Sequence, residues 1–343
     1  MIWVQHLLGS GHLRRAAAIA RAAAARGDQV LLASGGMPLP ALDAGDARFL
    51  QLPALRARDS RFSGLVDAAG ADATPALLAE RARLLAAAFD AFAPDLLLVE
   101  HFPYGRRALA GEVMPLAERA RRAVVSVRDV LVPPEKPGKR DWILATLQSF
   151  DAILVHGDPS LLAFTLDGGR PVHHTGYIVE RMPPAAVARG PEILVSAGGG
   201  AVGARLMAVA AAAAAADSRP WRLIAGDAAV PAAANLAVDR FREDFPALLA
   251  AAAASVSQAG YNTVVQGLAA GVPMVLVPFA EGAESEQTAR AEALAARGLA
   301  ELLPEAGLTP SALLAALARA QAPRHAVDLG GLPRTLALLR ELA

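Results

Sequence analysis

The chain has 343 residues and 54% of them are hydrophobic, so it is long enough to bury two cores of the usual domain size. Lys and Arg number 33 and Asp and Glu number 33, a formal net charge of zero that predicts no nucleic-acid partner. The absence of cysteine excludes a disulfide framework and thiolate chemistry. Because the start of the chain has no basic leader and no cleavage site, we expect a cytoplasmic protein.

Short apolar runs alternate with longer helical stretches along the chain, which is the pattern of parallel βα units. The first half contains candidate strands at Ile2–Leu7, Val30–Ser34, Leu96–Val99, Val124–Val127 and Ile153–His156. The second half contains candidate strands at Ile193–Ser196, Trp221–Ala225, Ala254–Ser257 and Met274–Val277. Such strands need helices on both faces, so we predict an α/β fold with two doubly wound, Rossmann-like domains that face an interdomain cleft.

A stretch rich in proline and small residues separates the two halves. Pro183, Pro184 and Pro191 cannot continue a helix and suit a linker. After Gly330 and Gly331 the sequence has the pattern of an amphipathic helix, which we expect to pack back on the first domain. The predicted order is therefore an N-terminal domain, a linker, a C-terminal domain and a final helix, over residues 1–182, 183–191, 192–330 and 331–343.

Three glycine-containing turns follow predicted strands, at residues 9–12, 197–201 and 259–261. Glycine suits such turns because the backbone can adopt positive φ and approach a ligand closely. One turn of this kind is equally a tight βα connection, but three of them predict nucleotide-type domains. The third turn leads into a helix, where Asn262 and Thr263 add short polar side chains beside the positive end of the helix dipole. We expect an anion, such as a phosphate group, to bind there.

His12 and Glu100 are the candidate catalytic residues. His12 starts a helix, where the dipole favours a neutral imidazole that can accept a proton; the alternatives are a contact to a diphosphate or a helix cap. Glu100 ends a strand and is the competing base, unless it forms an ion pair with Arg106, Arg107 or Arg128. Asp129 and Asp158 also end strands, and we expect them to cap loops.

Several signals of other functions are absent from the sequence. There is no His-Glu-x-x-His pattern, no cysteine pair and no Asp-x-Asp near a strand end, so we expect no metal and no bound cofactor. The glycine turns lack the Lys-Ser/Thr of a Walker loop and the third glycine of a dinucleotide fingerprint. Residues 131–140 form a basic, proline-rich segment, which is either a solvated loop or a contact to the acceptor or to membrane headgroups.

Several motifs follow one another in a fixed order along the chain. Those of the first half are Gly9-Ser10-Gly11-His12-Leu13-Arg14-Arg15, Glu100 to Arg107, Ser126-Val127-Arg128-Asp129, His156-Gly157-Asp158-Pro159 and His174-Thr175-Gly176-Tyr177. In the second half a similar stretch runs from Ser196 to about Leu303. Together these motifs resemble the GT-B glycosyltransferases. The similarity is to a bacterial group related to the peptidoglycan N-acetylglucosaminyltransferase that uses UDP-GlcNAc, with a family 28 type of C-terminal domain.

The resemblance implies inverting, metal-independent transfer of a sugar from a nucleotide diphosphate, most simply UDP, with the nucleotide held by the second domain. The residues implied to bind the nucleotide and its diphosphate are Gly11, Ser196, Gly198, Gly199, Gly200, Ala259, Gly260, Tyr261, Asn262, Thr263 and Gln266. Relatives have a carboxylate for the ribose where this chain has Gln266, which forms weaker hydrogen bonds. Glu286 and Gln287 are implied to contact the donor sugar, although Gln287 is equally a solvated residue at a helix start. The implied acceptor-side residues are Tyr104, Arg106, Arg107 and Arg128.

Three classes of function remain open at this point. The first is a glycosyltransferase that acts on a small-molecule or lipid-linked acceptor, with a possible peripheral membrane contact. The second is a nucleotide-sugar hydrolase, because a related hydrolase shares the loop that carries His12 and uses water in place of an acceptor. The third is a catalytically weak protein that binds nucleotide sugars, which the substitution at Gln266 suggests. The sequence does not fix the oligomeric state.

Overall fold

The computed structural model describes residues 1–40, 42–59, 62–131, 137–184, 187–197, 203–226, 228–279 and 285–343. It divides the chain into two compact units. The first unit contains Met1–Ile178 together with Gly330–Ala343, and the second contains Val179–Leu329. The boundaries predicted from the sequence were residue 182 for the end of the first domain and residue 331 for the start of the final helix.

The first unit is an α/β unit in which helices follow most of the strands. Its described strands are β1 (Ile2–Val4), β2 (Leu31–Ser34), β3 (Arg48–Gln51), β4 (Leu55–Ala57), β5 (Leu65–Asp67), β6 (Leu97–Glu100), β7 (Ala123–Arg128), β8 (Ala152–His156) and β9 (Val172–His174). Its described helices are α1 (Gly11–Ala24), α2 (Pro75–Phe92), α3 (Ala110–Ala117), α4 (Pro137–Thr146) and α10 (Gly331–Leu342).

Seven of these strands form one parallel sheet in the order β3-β2-β1-β6-β7-β8-β9, and β4 pairs with β5 in a separate antiparallel ribbon. The strand order reverses between β1 and β6, and this reversal is the topological switch point where ligands bind in such sheets. Trp3 of β1 pairs with Val99 of β6, so the two strands end almost level with each other. The segments that follow them therefore start at the same place on the sheet edge.

Both faces of the first sheet are covered. Trp3 and Val99 belong to one apolar cluster, while Ile2, Val4 and α1 belong to the cluster on the other face. The alanine-rich α1 lies close to the sheet because its small side chains leave little space between them. The final helix joins this unit, with Leu336 packed in the same cluster as α1. Gly331 permits this return, because a Cβ there would lie 2.4 Å from the Gly176 carbonyl oxygen.

The second unit repeats the same architecture. Its described strands are β10 (Ile193–Ser196), β11 (Trp221–Ile224), β12 (Leu236–Asp239), β13 (Ala254–Ser257), β14 (Met274–Leu276) and β15 (Glu301–Leu302). Its described helices are α5 (Ala204–Ala215), α6 (Phe245–Ala251), α7 (Tyr261–Ala270), α8 (Glu286–Ala296) and α9 (Pro310–Arg319). The sheet is parallel in the order β12-β11-β10-β13-β14-β15, so its switch point lies between β10 and β13.

All nine predicted strands are present, and the prediction of two Rossmann-like sheets is confirmed. The predicted first strand was too long, because it ends at Val4 instead of Leu7. The backbone turns away after Val4, and the Leu7 carbonyl accepts a hydrogen bond from the Ala57 N–H at the end of β4. The sequence missed β3, β4, β5, β9, β12 and β15, which are short or partly exposed and so lack a continuous apolar run. In the part of the chain that the structure describes, no helix has the length and apolarity to cross a membrane.

Candidate active site

The switch point of the first sheet brings His12 and Glu100 together. Helix α1 starts at Gly11 after β1, which places His12 in the first turn, and Glu100 is the last residue of β6. His12 Nδ1 lies 2.8 Å from Glu100 Oε1, and the two side chains are 11% and 1% exposed. The two residues that the sequence offered as competing bases are therefore direct partners.

Arg15 completes this group from the same helix. Its guanidinium forms an ion pair with Glu100 Oε1, and the side chain is buried. Residues three apart on a helix share a face, so His12 and Arg15 approach the carboxylate together. The expected ion pair of Glu100 with Arg106, Arg107 or Arg128 was thus the wrong pairing, because α1 presents a cation more directly. The sequence analysis quoted Arg15 in a motif but assigned it no role.

The imidazole of His12 is held neutral. Burial is the main cause that keeps its pKa well below the usual range, and the positive charges of Arg128 and Arg106 lower the pKa further. Glu100, as a carboxylate, only accepts hydrogen bonds, so His12 donates from Nδ1. A neutral ring with its proton on Nδ1 leaves Nε2 as an acceptor. This is the state that a general base requires.

Two arginines and a second histidine surround this pair. The ring of His101 lies 4.9 Å from that of His12, measured between centroids. Burial, His12 and the nearby arginines also keep the pKa of His101 well below its usual range. Arg106 adopts a left-handed backbone with φ of 66°, and its Nε donates to the Gln5 carbonyl over 2.7 Å. Neutral imidazoles among guanidinium groups make this edge of the first unit electropositive.

The other predicted acceptor-side residues lie in different environments. Arg107 is exposed and its guanidinium carbon lies 5.0 Å from the centre of the Trp142 ring. Tyr104 is buried, and its hydroxyl donates to the Leu166 carbonyl over 2.7 Å. Burial also raises the pKa of Tyr104. The expectation that Tyr104 lines the acceptor side does not agree with this geometry, because its ring belongs to the apolar core of the unit.

A small cavity of about 240 Å³ opens beside Arg106 in the first unit. Its lining combines the two arginines with apolar side chains, namely Leu7, Phe62, Leu65, Arg106, Arg107 and Leu109. Phe62 is 56% exposed, and Leu8 next to the lining residue Leu7 is 49% exposed. Cationic and apolar surface therefore lie side by side. Residues 132–136 of the proline-rich segment at 131–140 lie outside the described residues, and residues 137–140 form the start of α4.

The switch point of the second sheet has a different composition. Ser196 and Ser257 end β10 and β13, pair in register and are both buried. The predicted diphosphate residues Gly198, Gly199 and Gly200 lie outside the described residues. Gly203 follows them directly before α5, and a Cβ there would lie 2.3 Å from the Ala197 side chain. Glycine is needed at this position because the backbone at Gly203 passes so close to the end of β10.

The start of α7 forms the other side of this switch point. Gly260 precedes the first residue of the helix, and a Cβ built on it has no described atom within 4 Å. The carbonyl of Ala259 accepts a hydrogen bond of 2.8 Å from the buried guanidinium of Arg290, which also lies 5.8 Å from the Tyr261 ring. Arg290 thus anchors the turn from its inner side, while the N-terminal end of the helix dipole is directed at the sheet edge.

The remaining predicted donor residues lie on α7 and α8. Gln266 is half-buried in the second turn of α7. Glu286 is buried and pairs with Arg290 over 2.7 Å, so its carboxylate supports the turn that Arg290 anchors. The side-chain oxygen of Gln287 accepts a hydrogen bond of 3.2 Å from the Phe279 N–H after β14. Gly11, also predicted to contact the nucleotide, belongs to the first unit and opens α1.

Comparisons with known proteins agree with this architecture. Residues 227–328 match the glycosyltransferase family 28 C-terminal domain. Over 209 residues the chain is 30% identical to the UDP-N-acetylglucosamine–N-acetylmuramyl-(pentapeptide) pyrophosphoryl-undecaprenol N-acetylglucosamine transferase of Methylobacterium nodulans, a match that covers 61% of this chain and 49% of that protein. The matched stretches span 23% to 49% of the lengths of the curated relatives.

Solved structures match over almost the whole chain. The calicheamicin glycosyltransferase CalG4 has a TM-score of 0.62 at 18% identity, covering 99% of this chain and 93% of that one. MurG of Acinetobacter baumannii has a TM-score of 0.60 at 16% identity, covering 99% of both chains. The fold is therefore that of the GT-B glycosyltransferases. The predicted resemblance to a glycosyltransferase related to MurG is confirmed.

Proposed function

We propose that this protein is an inverting glycosyltransferase in which His12 is the general base and Glu100 orients it. The observation that carries the proposal is the 2.8 Å contact between His12 Nδ1 and Glu100 Oε1, at the switch point of a sheet in a GT-B fold. A carboxylate that accepts from Nδ1 fixes the tautomer and stabilises the imidazolium that forms during reaction. The proposal therefore gives the two residues separate roles, with His12 as the base and Glu100 as its partner.

The reaction follows from this arrangement. His12 Nε2 takes the proton of an acceptor hydroxyl, and the acceptor oxygen forms a bond to the anomeric carbon of the donor sugar. The bond between that carbon and the diphosphate oxygen breaks at the same time, and its electron pair leaves with the nucleoside diphosphate. Attack from the face opposite the leaving group inverts the anomeric centre. The imidazolium that results is stabilised by Glu100.

The second unit is proposed to hold the donor nucleotide. The N-terminal end of α7 has the polarity that favours a phosphate group, and space above Gly260 in the described structure supports a close approach. Among the described residues at this edge, Ser196, Ser257 and Gly260 are uncharged, which supports binding of the phosphate group by backbone N–H groups. The name of the Methylobacterium relative supports UDP as the first nucleotide to test.

The acceptor is proposed to carry an apolar part and an anionic group. The cavity beside Arg106 and Arg107 supports this, because aliphatic and aromatic side chains line it together with these two arginines. Both a small-molecule acceptor and a lipid-linked one meet this description. Peripheral contact with a membrane, and a cytoplasmic location, stay predictions from the sequence.

The test is an incubation of the purified protein with UDP-sugars and TDP-sugars, with and without a panel of anionic amphiphilic acceptors. Release of nucleoside diphosphate together with a glycosylated acceptor of inverted configuration supports the proposal. Release of free sugar at the same rate without acceptor would assign the protein to the hydrolases. Nucleotide binding without turnover under any acceptor would mean that it only binds nucleotide sugars. The His12→Ala variant serves as the control for background hydrolysis.

A further inference from the structure

A chain of buried polar side chains runs behind the His12–Glu100 pair. It consists of Ser126 within β7, His156 at the end of β8, Thr175 directly after β9 and Thr335 in α10, and the exposed fraction of all four is 0%. Polar groups in a core are costly unless they are paired. These four polar residues come from four different elements and lie beside a candidate base. We therefore asked what they contribute to the site.

Each member of the chain contacts the next. The Ser126 hydroxyl donates to Glu100 Oε2 over 2.6 Å, and Ser126 Oγ lies 2.8 Å from His156 Nε2. On the other side of that ring, His156 Nδ1 lies 2.8 Å from Thr175 Oγ1 and 3.5 Å from Thr335 Oγ1. Hydrogen bonds therefore lead from Thr175 to the carboxylate that holds His12, while the Thr335 hydroxyl lies beside them and donates to the Gly331 carbonyl over 2.7 Å.

The proton positions follow from what each group can donate. Ser126 has one hydroxyl proton and gives it to the carboxylate, so it can only accept from His156 Nε2. A neutral His156 with its proton on Nε2 must accept at Nδ1, and the hydroxyl of Thr175 is the donor within reach. Burial lowers the pKa of His156 to about 3, and the positive charge of Arg15 acts in the same direction. In this arrangement Thr175, His156 and Ser126 each donate in the direction of Glu100.

We propose that Ser126 and His156 are positioning residues, which fix the plane of the Glu100 carboxylate and thereby keep the proton of His12 on Nδ1 and its Nε2 open. This inference rests on the proposed role of His12 and extends it to residues that do not touch the substrate. Oε1 receives His12 and Arg15, whereas Oε2 receives Ser126. Contacts at both oxygens prevent rotation of the carboxylate, and a base held by a fixed partner keeps its geometry.

The first measurement is the protonation pattern of His12, which needs no substrate. Two-bond ¹H–¹⁵N spectra of protein labelled in its histidine rings distinguish Nδ1–H from Nε2–H, and loss of one signal in His12→Gln assigns the ring. We expect a single Nδ1–H form in the wild type. Ser126→Ala and His156→Leu should give a mixture of both tautomers. His156→Gln should keep the wild-type form, because its amide can donate to Ser126 and accept from Thr175.

The second measurement is turnover of the nucleotide sugar as a function of pH. Ser126→Ala and His156→Leu should lower kcat by roughly 10- to 100-fold, the loss expected for one charge-assisted hydrogen bond, with KM for the donor unchanged. The pH at which kcat falls should also move in these variants. Neither substitution changes the charged and titratable groups that face His12. These groups are Arg15 on the same helix, Glu100 at the end of β6, His101 directly after it, Arg106, Arg128 and His6. His173→Leu, on the edge strand, is the matched control and should behave as the wild type.

The two measurements separate the outcomes. If Ser126→Ala keeps the single Nδ1–H form of His12, the positioning role is overturned, whatever happens to activity. Because the hydroxyl of Ser126 is small, this variant remains informative even when His156→Leu fails to fold. If the tautomer changes while kcat stays constant, the positioning role stands and the proposed role of His12 as the base fails.

Discussion

The two units share one sheet topology, yet they place opposite kinds of group at the switch point. In the first unit, β1 and β6 lead to His12, Glu100 and Arg15, a set of buried titratable and charged side chains. In the second unit, the described residues after β10 and β13 are small or uncharged, with Ser196 and Ser257 at the strand ends. The comparison shows that the fold supplies the location, whereas the side chains determine the chemistry.

The distribution of histidine reflects the same difference. By sequence, six of the seven histidines belong to the first unit, namely His6, His12, His101, His156, His173 and His174. A group that moves a proton needs a titratable side chain near neutral pH, whereas an anion needs only backbone donors and a helix dipole. We therefore expect changes in the first unit to alter the rate and changes in the second unit to alter nucleotide affinity.

The largest effect is expected for His12→Ala. Loss of the general base should lower turnover by about 10²- to 10⁴-fold. Nucleotide affinity, measured by titration calorimetry, should stay near that of the wild type because we propose that the nucleotide binds to the other unit. His173→Ala is the control for the removal of an imidazole from the same unit. A large loss of nucleotide affinity in His12→Ala would instead make His12 a diphosphate contact. It would also contradict the assignment of rate to the first unit and of nucleotide affinity to the second.

The second prediction concerns the stability of the first unit at acidic pH. His156 has a pKa of about 3 in the folded protein, against about 6.5 when unfolded, so the unfolded state binds more protons between these values. The stability that a neutral His156 contributes is fully present above about pH 6.5 and is lost as the pH falls, by about 1.4 kcal/mol for each pH unit. Hydrogen-exchange protection of the first unit should therefore decrease from pH 7.5 to pH 5.

The second unit supplies the internal control, because its single histidine, His325, is exposed. His156→Gln should remove part of the pH dependence in the first unit, since glutamine does not titrate. Equal loss of protection in both units, unchanged in His156→Gln, would show that carboxylates dominate and that the buried histidine is not the cause.

The third prediction tests the second unit. Gly260→Val should weaken nucleotide binding by roughly 100-fold, because its side chain would occupy the space in which a phosphate group approaches the start of α7. The melting temperature should change little, as no described atom lies within 4 Å of the new Cβ. Gly307→Val is the matched control, since a Cβ there also meets no described atom. Equal nucleotide affinity in both variants would contradict the donor site.

Much of this architecture was predictable from the sequence, because buried parallel strands are continuous apolar runs. The same reasoning placed His12 and Glu100 at strand ends, and hence on one edge of a sheet. It did not predict that they contact each other, because the order of strands in the sheet is not encoded in any local pattern. Once β1 and β6 are neighbours, the contact follows.

The supporting residues were harder to predict. Ser126 lies within an apolar strand and Thr175 follows two histidines, and the sequence analysis quoted both in motifs without giving either a role. Their role depends on three strands and a helix that meet only in the folded unit. Arg290 was missed for the same reason, since a buried arginine in a helix has no sequence signature that separates it from a solvated one. The one signal that the sequence offered for such supporting residues was a polar residue at the end of an otherwise apolar strand, as at His156.

The smallest effect is expected for Gln266→Glu in the second unit. Gln266, which the family resemblance implies as the ribose contact, is half-buried in α7, and a carboxylate forms stronger hydrogen bonds with hydroxyl groups than an amide. We expect UDP affinity to increase by about tenfold, which corresponds to the roughly 1–2 kcal/mol between a charged and a neutral hydrogen bond. Calorimetric titration of the wild type and of Gln266→Glu with UDP and TDP measures this change in affinity. Glu292→Gln, on the neighbouring α8, controls for a change of one charge in the same unit. Weaker binding of both nucleotides to Gln266→Glu would mean that the site is built for a neutral partner, and would leave catalysis in the first unit unaffected.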